Sequence, residues 1–465
     1  MIENNLLLNQ LLAVLYDTPL PAKKLRQLLG GVSPATLSRM TKQAGAKIVC
    51  FGQARASAYA RPRDLRGIGQ QLPVYRIDEE GNAHSAGTLW VLCGGYWWTG
   101  SLWAVRHYTS LPWFIHDLKP DGFVGRAFAN RFGMDLGLPE RLTAWRDDDI
   151  LVALARRGDD TIGDIIIGEE SLSRYMSASR LQTSPTTPAD YPKLAEEALE
   201  GDPAGSSAGG EQPKFTVLTE RDASPVKVLV KFSPPLSTPA GQRWSDLLLC
   251  EHIALSIVKE MGIFAGESTV HSVGNRTFLE VERFDRCGKS GRKPVNSLTV
   301  VDAEFAGVGS NWSAASQKLC AIKLLSPEDA GKLARLDLFG SLIGNTDRHH
   351  GNISLIPLNE ERSRFKLAPV YDMLPMYYRP HEGEELSWSA YNPPAIADFG
   401  SVYDYALKFW QEAGKDVRIS EPFRKLCFEN RELLQKMASG PRVVGEYTSH
   451  GHKLPFDSAQ GTSVG

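Results

Sequence analysis

Gly344-Asn345-Thr346-Asp347-Arg348-His349-His350-Gly351-Asn352 follows the apolar run Leu336–Ile343. Asp347 and Asn352 stand five residues apart. A carboxylate beside an attacking hydroxyl, with a neutral oxygen ligand for magnesium close behind it, is what phosphoryl transfer requires of a loop. Adjacent histidines in a loop point apart, and no third ligand stands at a helical offset, so His349 and His350 do not read as a zinc pair.

Three other stretches extend this reading. Upstream, Ser206-Ser207-Ala208-Gly209-Gly210-Glu211-Gln212-Pro213-Lys214 runs into a strand at Phe215–Leu218. A small-residue loop feeding a strand lets backbone N–H groups approach phosphate oxygens, here around Gly209, Gly210, Gln212 and Lys214. Next, Lys231 ends the apolar strand Val228–Phe232, and Glu251 lies on the following helix, placed to orient it. Downstream, the β-like run Phe365–Val370 delivers Asp372, a second magnesium ligand at a strand end. Each has an ordinary alternative: a turn, a lysine facing water, a solvated glutamate, an Asp turn. Their order, loop, strand lysine, helix glutamate, Asp-to-Asn loop and strand-end aspartate, follows the protein-kinase plan without its usual words.

The residues Asn345-Thr346-Asp347 through Asn352, Tyr371-Asp372, Ser207–Lys214 and Val281-Glu282-Arg283-Phe284-Asp285-Arg286 resemble the HipA family of toxin–antitoxin serine/threonine kinases. The resemblance covers about residues 75–440 and includes Phe114–Gly122 and Gly163-Asp164-Ile165. It implies an α+β, two-lobed protein-kinase-like fold that uses ATP and Mg2+. Asp347 then resembles the catalytic base, Asn352 and Asp372 the metal ligands, and Lys231 the phosphate lysine. His349 falls in the family's loop word, on the nucleotide side. Glu282 and Phe284 resemble the hinge that holds adenine. Ser207, with Ser206 beside it, resembles the loop serine whose autophosphorylation silences the kinase, since phosphate adds about −1.5 to −2 charge. Known family substrates include aminoacyl-tRNA synthetases, so a protein substrate in translation is implied, as is a separate antitoxin partner. The chain departs from the family at Ser297–Phe305 and at Arg348.

Residues 1–66 carry a net charge of +7, leaving −9 on the rest of a chain whose total is −2. A basic first segment on an acidic body points to an anionic partner. Helices are expected over 3–16, 22–29 and 34–43, the last opened by Ser33-Pro34, with β-like stretches at 47–51 and 57–60. That is a winged helix-turn-helix plan, with Ser33, Thr36, Ser38, Arg39, Lys42 and Arg55 facing DNA. The expected division is 1–66 DNA-binding domain, 67–84 connector running into a short strand at Pro73–Ile77, 85–240 N-terminal subdomain and kinase N-lobe, 241–440 helical C-lobe and 441–465 flexible tail. Residues 176–205 read as a loop or short linker, and the cluster of tryptophans at 90–113 as core.

Six scattered cysteines without CxxC spacing, no signal-peptide pattern and no apolar run of about 18 residues point to the cytoplasm, without disulfides or a membrane span. Two other function classes stay open. One is a DNA-binding transcriptional regulator whose kinase-like body is inactive or senses a nucleotide; the other is a small-molecule phosphotransferase.

Overall fold

The computed structural model describes residues 2–53, 56–180, 184–200, 212–359, 361–381, 385–394 and 400–439. Ser206, Ser207, Gly209, Gly210 and Arg55, as well as the expected tail 441–465, lie outside them.

The chain begins with α1 (Ile2–Val14), β1 (Leu20–Pro21), α2 (Ala22–Leu28) and α3 (Pro34–Ala44), followed by the hairpin β2 (Val49–Phe51) and β3 (Ala58–Ala60). The three strands form a sheet in the order β1-β3-β2. Ser33 opens α3 by accepting the Thr36 amide at 3.1 Å, and Pro34 occupies the first helical position, where its missing N–H costs nothing. Leu37, Met40 and Ala44 face inward on α3, against Leu11, Leu15 and Leu25, while Ser38, Arg39 and Lys42 face out. Replacing Ser33 with Ala should cost about 1 kcal/mol, confined to this unit. Hydrogen exchange at the amides of 34–37 would rise while exchange in the body stays unchanged.

The short strand expected at Pro73–Ile77 is present and longer, so residues 67–84 are part of a sheet rather than a connector. β4 (Gln71–Ile77) is a strand of a five-stranded sheet, and β5 (Ala83–Leu92) begins immediately after a turn in which Asp78 accepts the Glu80 and Asn82 amides. β6 (Gly95–Gly100), β7 (Arg106–Tyr108) and, beyond three helices, β8 (Ile165–Ile167) complete the order β7-β6-β5-β4-β8. The helices are α4 (Trp113–His116), α5 (Gly122–Phe132) and α6 (Asp147–Arg157), with α7 (Glu169–Arg180) following β8. Trp98, Trp103 and Trp113 are core, and Trp103 stacks on Phe114 at 3.6 Å. Trp97 has another role. Its ring stacks on Phe51 of β2 at 4.3 Å, Arg63 grips Asp148 with two 2.7 Å bonds, and a Cβ on Gly94 would lie 2.1 Å from the Asp17 carbonyl oxygen. The basic N-terminal unit is therefore seated on the middle sheet rather than strung from it.

The linker expected over 176–205 contains the end of α7 and a further helix, α8 (Tyr191–Glu200), which caps the next sheet. That sheet has the order β11-β12-β10-β9, from β9 (Lys214–Arg221), β10 (Ser224–Phe232), β11 (Ser268–Val273) and β12 (Arg276–Glu282), with α9 (Pro239–Glu260) inserted after β10. Strand alternation divides the faces. Val228, Val230, Phe232 and Phe278 pack under α8, whereas Leu279 and Val281 meet Leu248 of α9. Because α9 is sandwiched between sheet and helical lobe, it is buried nearly all round. The expected lobe boundary at 240 is corrected accordingly: the sheet unit runs through α9 to Glu282.

The remaining lobe holds the short strands β13 (Arg286–Cys287), β14 (Gly291–Arg292) and β15 (Asn296–Ser297), then α10 (Leu298–Val301), α11 (Trp312–Ala321) and α12 (Pro327–Leu342). β16 (Ser354–Pro357) pairs with β15 and with β17 (Phe365–Leu367), and α13 (Tyr403–Lys415) packs on α14 (Glu421–Ser439). A buried pair between Asp164 and Arg362, and the Gly163 amide donating to Asp285 at 2.9 Å, join middle sheet to this lobe. The result is a mixed α and β chain in which the four-stranded sheet with α9 stands against a mainly helical lobe. Among the described residues no helix is long and apolar enough to cross a membrane.

Candidate functional site

Lys231 lies on the α9 face of β10, since it is registered with Leu279 and alternates with the α8-facing Val230 and Phe232. Its ammonium meets Glu251 of α9 at 2.6 and 2.7 Å and also pairs with Asp372. The Glu251 side chain is wholly buried, and it also accepts the Asp372 amide at 3.2 Å. Burial works against the Lys231 charge, but Asp372 and Glu251 outweigh it and hold its pKa above the usual lysine value. Burial likewise raises Glu251 against the pull of Lys231. For Asp372 the balance reverses: burial opposes ionisation, yet Lys231 brings it below the usual carboxylate range. Asp372 sits at φ +53°, an uncommon conformation for a side-chain-bearing residue, though one Asp tolerates better than most. The Asn345 amide donates to the Asp372 carbonyl at 3.4 Å.

The Asp347 loop is built by its own backbone. Asn345 Oδ1 accepts the Asp347 amide at 3.0 Å, and Asn352 Nδ2 donates to the Asp347 carbonyl at 2.8 Å. This bond occupies the amide nitrogen of Asn352, so the atom able to meet a cation is Oδ1. His349 Nδ1 accepts the Gly351 amide at 3.0 Å, and Trp312 Nε1 donates to the His349 carbonyl at 2.9 Å. Arg348, the departure noted above, turns away from the cavity to Asp337 at 3.0 Å. Asp302, in the divergent 297–305 segment, accepts the amides of Val308 and Gly309 and lies 3.6 Å from His350.

These elements converge on a cavity of about 580 Å3 lined by Gln212, Lys214, Lys231, Glu251, Asp347, His349, Asn352 and Asp372. Residues separated by more than 100 positions thus share one wall system. Glu282 and Phe284 do not line it. Glu282 faces Arg221 at 3.3 Å, and the Phe284 ring lies 5.9 Å from Tyr371, the neighbour of Asp372. The α3 residues Ser33, Thr36, Ser38, Arg39 and Lys42 belong to the separate N-terminal unit. Sequence reasoning assigned no role to Trp244, Arg379 or Asp121–Val124, which also line the cavity. Asp121 and Gly122 lie inside or beside the motif at 114–122, whereas Trp244 and Arg379 carried no local signal.

The donor set suits a hard, oxygen-seeking cation: a carboxylate from Asp372 and an amide oxygen from Asn352, with Lys214 and Lys231 lining the same cavity for anionic oxygens. Among the described residues no group of three or more His, Cys, Asp or Glu side chains forms a self-sufficient metal cage. A metal that takes its remaining ligands from phosphate and water needs none.

Residues 68–176 match the family described as YjjJ-like toxin, middle domain, and residues 206–429 the HipA-like C-terminal domain. The chain is 37% identical over 441 residues to Toxin YjjJ of Escherichia coli (strain K12), covering 92% of this chain and 98% of that protein. Among solved structures it is similar to HipA in the Shewanella oneidensis MR-1 complex with HipB and operator DNA, at 19% identity and TM-score 0.42 over 79% of this chain and 90% of that one. It is also similar to the Helicobacter pylori proinflammatory kinase CtkA, at 14% identity and TM-score 0.30 over 51% of this chain and 91% of that one. With nearly the full length of both sequences aligned, the chain belongs to the YjjJ-like family of HipA-type toxins.

Proposed function

We propose that the chain is a toxin-type serine/threonine protein kinase that uses ATP and Mg2+. The observation that carries this reading is the single cavity uniting the Lys231–Glu251–Asp372 network with Asp347 and Asn352. When bound, MgATP supplies the phosphoryl group and the metal neutralises its charge. Asn352 and Asp372 would hold the cation. Lys231, kept cationic and pinned by Glu251, would bind phosphate oxygens, joined by Lys214 and Gln212 and by the Gly209-Gly210 backbone. Asp347, whose side chain is 40% exposed, is open to an incoming hydroxyl and would accept its proton. Glu282 and Phe284, outside the lining of this cavity, would hold adenine beyond its edge, and Ser207 would be the self-silencing site. The substrate in this reading is a protein, such as an aminoacyl-tRNA synthetase or another translation factor, and a separate antitoxin is a further partner. Six free cysteines fit a cytoplasmic setting.

The test is intact mass after incubation with ATP and magnesium, beside Ser207→Ala. One added phosphate in the wild type and none in Ser207→Ala is the expected result. No phosphate on the chain or on any added protein, in material that binds ATP, would overturn it.

The N-terminal unit is read as a winged helix-turn-helix that binds DNA for autoregulation. Its support is the exposed Ser38, Arg39 and Lys42 face of α3 and the hairpin that follows. Arg39→Ala and Lys42→Ala should each weaken DNA binding and lower the slope of log affinity against log salt by about 1, where the lost contact is to phosphate. An unchanged slope in both would remove α3 from the interface. A second reading, a DNA-binding regulator without phosphotransfer, is favoured by the basic N-terminal unit and its seat on the middle sheet through the Phe51–Trp97 stack and the Arg63–Asp148 pair. It requires DNA binding together with a negative result in the mass experiment.

A further inference from the structure

β10 carries a second lysine on the face that holds Lys231. Lys227 lies four residues earlier, about 13 Å along the strand. It borders a separate cavity of about 320 Å3, none of whose lining residues belongs to the phosphotransfer cavity. The walls come from β9, from Tyr175 and Ser179 of α7, and from the segment 283–292.

The charges here do not cancel. Arg283 and Arg286 are matched: Arg283 holds Asp285 at 2.9 Å, and Arg286 holds Asp285 at 2.6 Å and Asp160 at 2.9 Å. Three cations are left over. Arg292 is 3% exposed, lies 4.9 Å over the Tyr175 ring, and gives one terminal nitrogen to the Asp159 carbonyl. Its other terminal nitrogen is buried with no hydrogen-bond partner among the described residues. The Lys227 carbonyl accepts the Arg283 amide at 3.0 Å, but among the described residues the Lys227 and Lys289 side chains are in no ion pair or hydrogen bond. Burial pushes Lys227 below its ordinary value, and burial followed by the repulsion of Arg286 brings Arg292 down to about 10. The carboxylates at the wall offset this only in part. Asp160 is paired with Arg286 at 2.9 Å and is shared with Lys227 and Arg292, and burial raises the Asp159 carboxyl.

A purely structural arginine cluster would pair its guanidinium groups, because a buried cation without a partner is costly. Arg292, Lys227 and Lys289 line one cavity together with Ser179 and Ser290, a set that matches a compact dianion. We propose that this cavity binds a small free phosphate monoester, its phosphate held by Arg292, Lys227 and Lys289. The site adjoins β9, β10 and α7, so its ligand bridges the kinase-like sheet to the middle unit. The assignment does not depend on phosphotransfer by the first cavity.

The test is calorimetric titration of the full chain with inorganic phosphate and with glycerol 3-phosphate. Saturable binding is expected, weakened about tenfold in Lys227→Gln/Lys289→Gln and unchanged in Lys214→Gln, which alters the first cavity. Lys289→Gln alone, at an exposed residue whose loss leaves the fold intact, should weaken it about threefold. Absence of saturable binding to the wild type overturns the proposal. So does binding that falls in Lys214→Gln but is indifferent to Lys227 and Lys289, since the anion would then occupy the first cavity. An inactive kinase that still binds phosphate in this pattern leaves the proposal standing.

Discussion

Asp347→Gln should lose phosphotransfer by about 10²- to 10⁴-fold, the usual contribution of a positioned general base, while keeping its fold and its nucleotide affinity. The separation of effects follows from how the loop is held. Asn345 and Asn352 grip the Asp347 backbone, through its amide and its carbonyl, and neither bond involves the carboxylate. The side chain is 40% exposed, and the nearest basic group is His349 Nε2 at 3.9 Å. A neutral amide of similar polarity therefore removes a proton acceptor without unseating the loop. The measurement is the rate of phosphate gain by intact mass, beside nucleotide binding and thermal unfolding. A variant that phosphorylates at the wild-type rate would remove Asp347 from the chemistry, and with it the kinase reading.

Lys231→Met should be destabilising by about 3–5 kcal/mol as well as inactive, because one partner of a buried ionic network is removed and the other left. Methionine fills much of the space but leaves Glu251, wholly buried, and Asp372 without their cation. The destabilisation should depend on pH in a fixed direction. Without Lys231, burial raises the folded-state pKa of Glu251 further above its unfolded value. A group raised in this way favours the fold below its unfolded pKa and loses that contribution as pH rises. The deficit relative to wild type should therefore be small near pH 4 and grow toward neutrality. Adding Glu251→Gln should recover part of the stability at pH 7 and flatten the pH dependence, with no recovery of activity. Thermal unfolding of the two variants across pH checks both points; a deficit independent of pH, or a double variant no more stable than the single, would contradict the network as described.

Much of this protein is legible locally. Ser33 and Pro34 mark the start of α3, the five-residue interval from Asp347 to Asn352 forms one loop, and strand alternation places Lys231 opposite the core face of β10. These features depend on residues within a turn or two of one another, which is the range over which caps and periodicity act. The sequence was misleading where a segment takes its structure from distant partners. Polar residues at 67–84 read as a connector, yet β4 gains its hydrogen bonds from β5 and from β8, some 90 residues later. The 176–205 stretch is rich in small and polar residues, and α8 within it is held by the sheet face it covers, through the buried Tyr191. The strand-to-helix order already placed Glu251 to orient Lys231, but only the fold could decide that Asp372 joins them, because α9 and the helical lobe must first close on the sheet. Only the fold could also show that Arg292 and Lys227 share a cavity whose Asp160 is already paired with Arg286. Composition by itself records a chain nearly balanced at −2. Which charges end up paired is settled by tertiary packing, since burial makes an unmatched charge expensive and the sequence does not say which neighbours will be there to match it.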